Sequence, residues 1–235
     1  MPSPGREKRW TASSVPNWRR PARGPAERID LLDASCGIGT QAIGLAMRDY
    51  DVTATDISSK SIERAKREAE AFGVSIRFGA ANFRTLERNV PGTFQVVLST
   101  DNAIPHLLTD EDLHRACRNL HAKLKDGGLL VITIRDYDEL VAEKQRATPP
   151  RVMDEGKRIV FQKWDWSGDG KTYVAHQFIL RENDGNWTVQ ENSTPYRALL
   201  RAELSSMLEA AGFRDIKWLM PDESGYYQPV VTARR

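Results

Sequence analysis

The stretch LDASCGIGTQA, Leu32 to Ala42, decides how this chain is read. It closes a short apolar run and opens a segment with apolar residues at helical spacing, so it is a strand, a glycine turn and a helix start. Gly37, Gly39 and Ala42 fit the G-x-G-x-x-G/A spacing, in which glycines let backbone amides approach a nucleotide. Asp33, four residues before Gly37, separates the candidate ligands by charge. A carboxylate at the strand end repels an anionic pyrophosphate at reduced dielectric and attracts a cation. Taken alone, Asp33 also has the look of a turn or helix-capping aspartate. Asp56, 19 residues past Gly37, ends the next strand. Its carboxylate suits the vicinal hydroxyls of a ribose, which any adenosine cofactor presents.

Working outward, strands and helices alternate from residue 28. IDLLDA, DVTATD, VSIRFG, FQVVLST and LLVITIRDYD read as five strands. Ser58 caps a helix carrying Ile62, Ala65, Ala69 and Phe72 on one face, and Leu113, Cys117, Leu120 and Leu124 form the stripe of another. KDGG is expected to stop that second helix. KRIVFQKWDW, KTYVAHQFIL and NWTVQENSTPY follow as three extended runs joined by SGDG and ENDGN, an antiparallel pattern. RAELSSMLEAAGF returns to helix, and RDIKWLMP and YYQPVVTAR are expected as closing strands. The expected fold is α/β, a doubly wound and mostly parallel seven-stranded sheet with an antiparallel three-stranded extension. Its parts are a basic, proline-rich arm (1–27), a cofactor-binding core (28–150), a substrate-side extension (151–196), and a final helix with an antiparallel strand pair (197–235). In such sheets ligands sit beyond the carboxyl ends of the strands, which brings Asp33 to Gly39, Asp56, Asn82 and Thr100 to His106 to one edge.

Composition narrows the function classes. The net charge of +2 hides a division: residues 1–25 carry six basic residues against Glu7, net +5, which leaves −3 on the remainder. A basic tail on a mildly acidic body is not the footprint of a nucleic-acid-binding domain. No apolar run approaches the length of a membrane span, and no secretory signal is apparent. Cys36 and Cys117 form neither a disulfide framework nor a metal motif, which suits a reducing cytoplasm. No nucleic-acid or membrane partner is expected, no metal is implied, and homo-oligomerisation is open.

With these residues in view, the sequence resembles the class I S-adenosylmethionine-dependent methyltransferases, and within them the glycine N-methyltransferase group. DASCGIG is similar to their D-x-x-C-G-x-G loop, ATDIS to their ribose-binding strand end and DGGLLVI to their fifth-strand signature. AANF resembles the group's A-N-W adenine-edge segment, DNAIPHL its G-N-S-x-x-H-L loop and GGLLVITIRDYD its G-G-L-L-V-I-x-x-R-N-Y-D strand. The resemblance implies S-adenosylmethionine as cofactor, with S-adenosylhomocysteine as product. It implies a cofactor site of Asp33, Ser35, Gly37, Gly39, Asp56, Ile57, Ala81, Asn82, Phe83 and Thr100, with Asn82 and Phe83 flanking the adenine. It places Asn102 and His106 on the methyl-transfer side, Arg135 on a substrate carboxylate, and Tyr196 in the substrate pocket. Members of the group lid the substrate with a helical N-terminal segment containing a tyrosine, whereas residues 1–32 here are proline-rich and contain none. Asp101 stands where the group has glycine, which favours a basic or larger amine over glycine as acceptor.

The expected function is methylation of a small molecule, an amine or amino-acid-like compound. The alternatives are O-methylation of a small aromatic or carboxylate metabolite, and a non-catalytic cofactor-binding domain. Transfer to an activated carbon needs positioning more than a protein nucleophile. His106 either accepts the amine proton or hydrogen-bonds its own loop. Arg135 either clamps a carboxylate or pairs with Asp136 or Asp138. Trp164, Trp166 and Trp187 either stack on a substrate or pack between layers, with packing the commoner fate. His114 and His121, seven apart on one helix, lack metal-pair spacing, and His176 sits mid-strand in the extension. Trp10 and Trp18 could fold over the site or meet a partner.

Overall fold

The computed structural model describes residues 28–235; the arm read at 1–27, with Trp10 and Trp18, lies outside the described residues. In chain order the elements are β1 (Asp30–Asp33), α1 (Thr40–Ala46), β2 (Asp51–Asp56), α2 (Ser59–Ala71), β3 (Arg77–Ala80), α3 (Leu86–Asn89), β4 (Phe94–Ser99), α4 (Asp110–Ala122), β5 (Leu124–Thr133), α5 (Tyr137–Glu143), β6 (Arg151–Met153), β7 (Arg158–Trp166), β8 (Thr172–Asn183), β9 (Asn186–Arg197), α6 (Arg201–Ala210), β10 (Arg214–Leu219), α7 (Pro221–Ser224) and β11 (Val230–Arg234). The chain divides into two compact units. One comprises 105–108 and 136–201, and the other, among the described residues, comprises 28–104, 109–135 and 202–235.

The larger unit is a seven-stranded sheet in the order β10-β11-β5-β4-β1-β2-β3. β3, β2, β1, β4 and β5 run parallel, while β11 is antiparallel to both β5 and β10. Strand order reverses beside β1, so the loops after β1 and β4 open a crevice there, where α/β sheets bind ligands. α2 begins where Ser58 accepts the Ser61 N–H, and it buries Ile62, Ala65 and Ala69. α4 is capped by Thr109, which accepts the Asp112 N–H, and buries Leu113, Ala116, Cys117 and Leu120. Both stripes follow the 3.6-residue period visible in the sequence.

The smaller unit is a four-stranded antiparallel sheet, β6-β7-β8-β9, rather than the expected three. The added strand is only three residues long, too short to show alternation. It folds back on β7 through Asp154, Glu155 and Gly156, all at positive φ. Further differences occur at element ends. KDGG lies inside β5 instead of ahead of it. The register against β4 shifts between Phe94 and Val96, and Gly127 takes φ 70°, a conformation that favours glycine. β5 stops at Thr133, and RDYD turns into α5, because Asp136 accepts the Glu139 N–H and caps a helix. YYQP is turn rather than strand, and β11 begins only after Pro229, which has no N–H to give a ladder. Among the described residues no helix is long and apolar enough to cross a membrane.

Candidate active site

The glycine turn is built by its own backbone. Ala34 N–H donates to Leu98 O and Cys36 N–H to Thr55 O, both at 2.9 Å, so the loop after β1 is tied to the two strands flanking it. Gly37 and Gly39 take φ 52° and 89°. A Cβ on Gly39 would stand 3.0 Å from Ala65 Cβ and 3.2 Å from Ile43 Cδ1, so glycine is what lets α1 approach α2 here. At the end of β2, Asp56 Oδ2 accepts Gly37 N–H and Oδ1 accepts Ser58 N–H, each at 2.9 Å. One lone pair on each oxygen is thereby fixed, and the other remains for a diol. Asp56 O also accepts Ala81 N–H at 3.0 Å, drawing the AANF segment to the same edge. There Ala81 is buried, and Asn82 Oδ1 accepts Arg84 N–H as the cap of the short turn that holds Phe83. Ile57 is 71% exposed beside Asp56, an apolar face lying open at the strand end. Ser35 Oγ donates to Ser99 Oγ at 3.3 Å, which places Ser35 next to the segment leading to Thr100.

Asp33 is fully buried; its Oδ1 accepts Ser35 N–H at 3.2 Å and its Oδ2 has no hydrogen-bond partner. Burial first, then the fields of Asp101 and Asp56, push its carboxyl up to about 7. A buried carboxylate with an unsatisfied oxygen and two further carboxylates in range is costly unless a cation comes near. The neighbouring thiol of Cys36 is pushed far above its usual range, chiefly by burial and then by Asp33 and Asp56, which makes it an inert packing residue. Burial likewise pushes Cys117 up to about 12.

The loop after β4 holds Asp101 and Asn102 at φ 57° and 64°, two consecutive left-handed residues. Three groups meet Asp101. Tyr226 and Tyr227 donate their hydroxyls to Oδ1, the latter at 2.8 Å, and Gln41 Nε2 donates to Oδ2 at 3.1 Å. Its N–H donates to Thr133 Oγ1 at 2.9 Å, and that hydroxyl donates onward to Gln228 Oε1 at 3.1 Å. Burial and the Asp101 carboxylate hold both phenols well above their ordinary range, so they stay donors. The charge of Asp101 is thus partly shared among neighbours, a restraint that its position after strand four did not reveal. Sequence reasoning missed Tyr226, Tyr227 and Gln41; two adjacent tyrosines ahead of a proline were the available signal for a loop presenting phenols. Asn102 is buried, with Oδ1 accepting Arg135 N–H at 3.0 Å. Arg135 lies two residues past β5, and its positive charge is felt by the Tyr227 phenol.

In the smaller unit His106 and Tyr196, 90 positions apart, lie ring against ring at 4.2 Å. Tyr196 stacks on Tyr173 at 5.4 Å, and Tyr173 also meets Trp166 and Trp164 at 4.9 and 5.1 Å. Tyr137 and Tyr173 hydroxyls stand 3.0 Å apart. Trp164 is buried in this cluster, the packing outcome, while Trp187 is half exposed. Asp136 and Asp138 both engage Arg201, at 2.7 and 3.3 Å. His176 bridges Asp165 and Glu191, each at 3.0 Å, on the sheet surface. Among the described residues no group of His, Cys, Asp or Glu is arranged to hold a metal ion.

A doubly wound sheet with a glycine turn, a diol-ready carboxylate and an acidic strand end defines a nucleoside-cofactor domain suited to a cation. Comparison with known proteins agrees: residues 31–128 match the family model of the methyltransferase domain. The chain is 32% identical over 165 residues to a glycine/sarcosine N-methyltransferase of Parasynechococcus marenigrum (strain WH8102), covering 64% of this chain and 57% of that protein. It is 33% identical over 180 residues to the glycine N-methyltransferase of Homo sapiens, covering 68% and 56%. Its fold matches an S-adenosylmethionine-dependent methyltransferase from Clostridium acetobutylicum ATCC 824 with a TM-score of 0.73 at 15% identity, covering 87% and 82%. Residues 31–128 are thus similar to the methyltransferase domain, and the chain as a whole is similar to glycine and glycine/sarcosine N-methyltransferases. It spans little more than half the length of the curated relatives it matches.

Proposed function

We propose that the protein uses S-adenosylmethionine to methylate a small molecule, an amine or amino-acid-like compound, and releases S-adenosylhomocysteine. The observation that carries this reading is the buried, incompletely bonded Asp33 carboxylate, with Asp56 and Asp101 within its field. That donor set fits a cofactor bearing a sulfonium and an α-ammonium, and opposes a pyrophosphate. When bound, the cofactor supplies an activated methyl carbon whose bonding pair leaves with sulfur as the acceptor's lone pair forms the new bond.

The protein's part is then to hold and align. Asp33, Ser35, Gly37 and Gly39 would face the methionine portion, Asp56 the ribose, and Ile57, Ala81, Asn82, Phe83 and Thr100 the adenine and its surroundings. Asn102, His106, Arg135 and Tyr196 would handle the acceptor, with Arg135 offering a fork to a carboxylate. Within the larger unit the Arg135 backbone N–H donates to Asn102 Oδ1, and within the smaller unit His106 and Tyr196 lie ring against ring, which supports each pair separately. No protein nucleophile is required, and a neutral amine can attack directly. On this reading residues 28–150 and 197–235 bind cofactor and 151–196 form the acceptor-side extension. A cytoplasmic setting is part of the proposal, supported by two buried thiols without a disulfide.

Titration calorimetry tests the cofactor claim: Asp56→Ala should lose most of its affinity for S-adenosylmethionine, and unchanged binding would overturn it. NAD at millimolar concentration should not bind. A methyl-transfer screen across amines, phenols and carboxylates, read as S-adenosylhomocysteine release, then separates nitrogen from oxygen acceptors. Tight cofactor binding without turnover on any of them would instead leave a cofactor-binding domain.

A further inference from the structure

Among the described residues the two sheets have four edge strands, and three of them are short or irregular. β3 has four residues and β6 has three. β10 has six, with a register shift against β11 between Arg214 and Lys217. Such strands offer little backbone for a foreign strand to pair with. β9 is different. It runs twelve residues in unbroken register with β8, and among the described residues no strand lies on its outer side.

The hairpin fixes which backbone groups that side presents. Asp184 and Gly185 take φ 51° and 80°, and Asn183 pairs with Asn186 across them, a two-residue turn. At the other end Ala198 N–H donates to Lys171 O at 2.8 Å. Bonds toward β8 therefore fall on the even positions of β9, by the alternation of antiparallel pairs. The N–H groups of Trp187, Val189, Glu191 and Ser193 point outward, whereas Pro195 has none. The side chains of these residues share one face, on which Trp187 is 50% and Val189 63% exposed. Edge strands are commonly guarded by a lysine or another charge turned toward the edge. Here Glu191 is the one charged residue within 186–196, and it is engaged by His176 at 3.0 Å and by the Ser193 hydroxyl at 3.1 Å.

β9 is also complementary to itself. Laid antiparallel on a second copy about a two-fold axis at Asn192, it sets Glu191 against the partner's Ser193 and Val189 against the partner's Pro195. A carboxylate then meets a hydroxyl, and an apolar side chain meets an apolar ring. An axis at Glu191 would oppose two carboxylates, an axis at Gln190 would set Glu191 against Val189, and an axis beyond Asn192 shortens the paired stretch. We propose that two copies of this chain pair through β9, joining their four-stranded sheets into one continuous sheet across an isologous interface. A second copy fits this edge because the register that satisfies the outward amides also suits the side chains. The pairing does not depend on which molecule is methylated.

Sedimentation of the full chain tests it, and a dimer that dissociates on dilution is expected. Val189→Lys puts a lysine on the exposed edge and should weaken the dimer several-fold while the circular dichroism stays that of the parent. Disulfides report the register, since Cys36 and Cys117 are buried. Directly opposed residues of a non-hydrogen-bonded antiparallel pair have Cα atoms about 4.5 Å apart, within disulfide reach. Asn192→Cys should therefore link two copies under mild oxidation, whereas Gln190→Cys, opposite the partner's Thr194, should not. A monomer at every concentration would overturn the proposal. So would a dimer that Val189→Lys leaves intact, or equal linking by the two cysteine variants.

Discussion

The hydroxyl of Tyr227 donates to Asp101 Oδ1 at 2.8 Å, a contact between residues 126 positions apart. Tyr226 donates to the same oxygen, and Gln41 to the other, so the left-handed Asp101–Asn102 pair is held from two sides. Losing one donor to a charged acceptor costs about 1–3 kcal/mol when the site is buried. Tyr226 is buried and Tyr227 largely exposed, so the two should differ. Tyr226→Phe should lower the melting temperature by several degrees and Tyr227→Phe by less, as scanning calorimetry would reveal. Equal losses would mean that burial does not govern the network.

Gly39→Ala combines a φ of 89° with Cβ contacts of 3.0 and 3.2 Å to Ala65 and Ile43. The left-handed cost is about 1–3 kcal/mol, and overpacking adds to it. The variant should be measurably less stable in urea, and its cofactor affinity should fall with it. Gly37→Ala meets no neighbour within 4 Å and carries only the backbone cost, so it should be milder in stability.

The buried Asp33 carboxyl should make folding depend on pH, and binding too if it faces the cofactor as proposed. Its native carboxyl titrates near 7, against 3.8 when unperturbed, chiefly because it is buried. Between those values the folded chain keeps a proton that the unfolded chain has released, so stability falls as pH rises through that window and levels off above it. Parent minus Asp33→Asn, followed by urea titration from pH 4 to 8, should isolate that slope, on the order of a few kcal/mol overall. A cationic cofactor selects the ionised form, so parent affinity should rise about tenfold from pH 6 to pH 8. Asp33→Asn should bind weakly and without that dependence; a parent affinity that is flat with pH would remove Asp33 from cation recognition.

Arg135→Lys keeps the charge and loses the planar fork. If Arg135 holds an acceptor carboxylate, KM for that acceptor should rise while cofactor affinity stays put, and Arg135→Ala should raise KM by one to two powers of ten, equivalent to roughly 1.5–3 kcal/mol. Equal turnover of every acceptor by the parent and Arg135→Ala would leave the methyltransferase assignment standing and remove the carboxylate.

The geometry of the glycine turn and the acidic strand ends was legible because its parts are local. Asp33, Gly37, Gly39 and Asp56 are fixed by one strand-turn-helix unit and the strand after it, so their spacing in sequence is their spacing in space. His106 and Tyr196 were within reach only through family resemblance, since 90 positions separate rings that touch. The phenol pair on Asp101 had neither support, because nothing in YYQP announces which loop it will meet. Strand ends were misread where one side-chain contact outweighed a pattern: the Asp136 cap starts α5 inside what alternation alone extends as β5.

Arg201 meets Asp136 at 2.7 Å, joining points 65 residues apart at the two ends of the excursion that carries β6 to β9. A chain segment clasped at its base is a replaceable cassette. Inserting or deleting residues inside it changes closure entropy only slowly, about 0.6 kcal/mol for each doubling of length, and leaves the clasp where it was. Descendants of this sequence can therefore recut the hairpins wholesale while the entry and exit points stay a single ion pair apart.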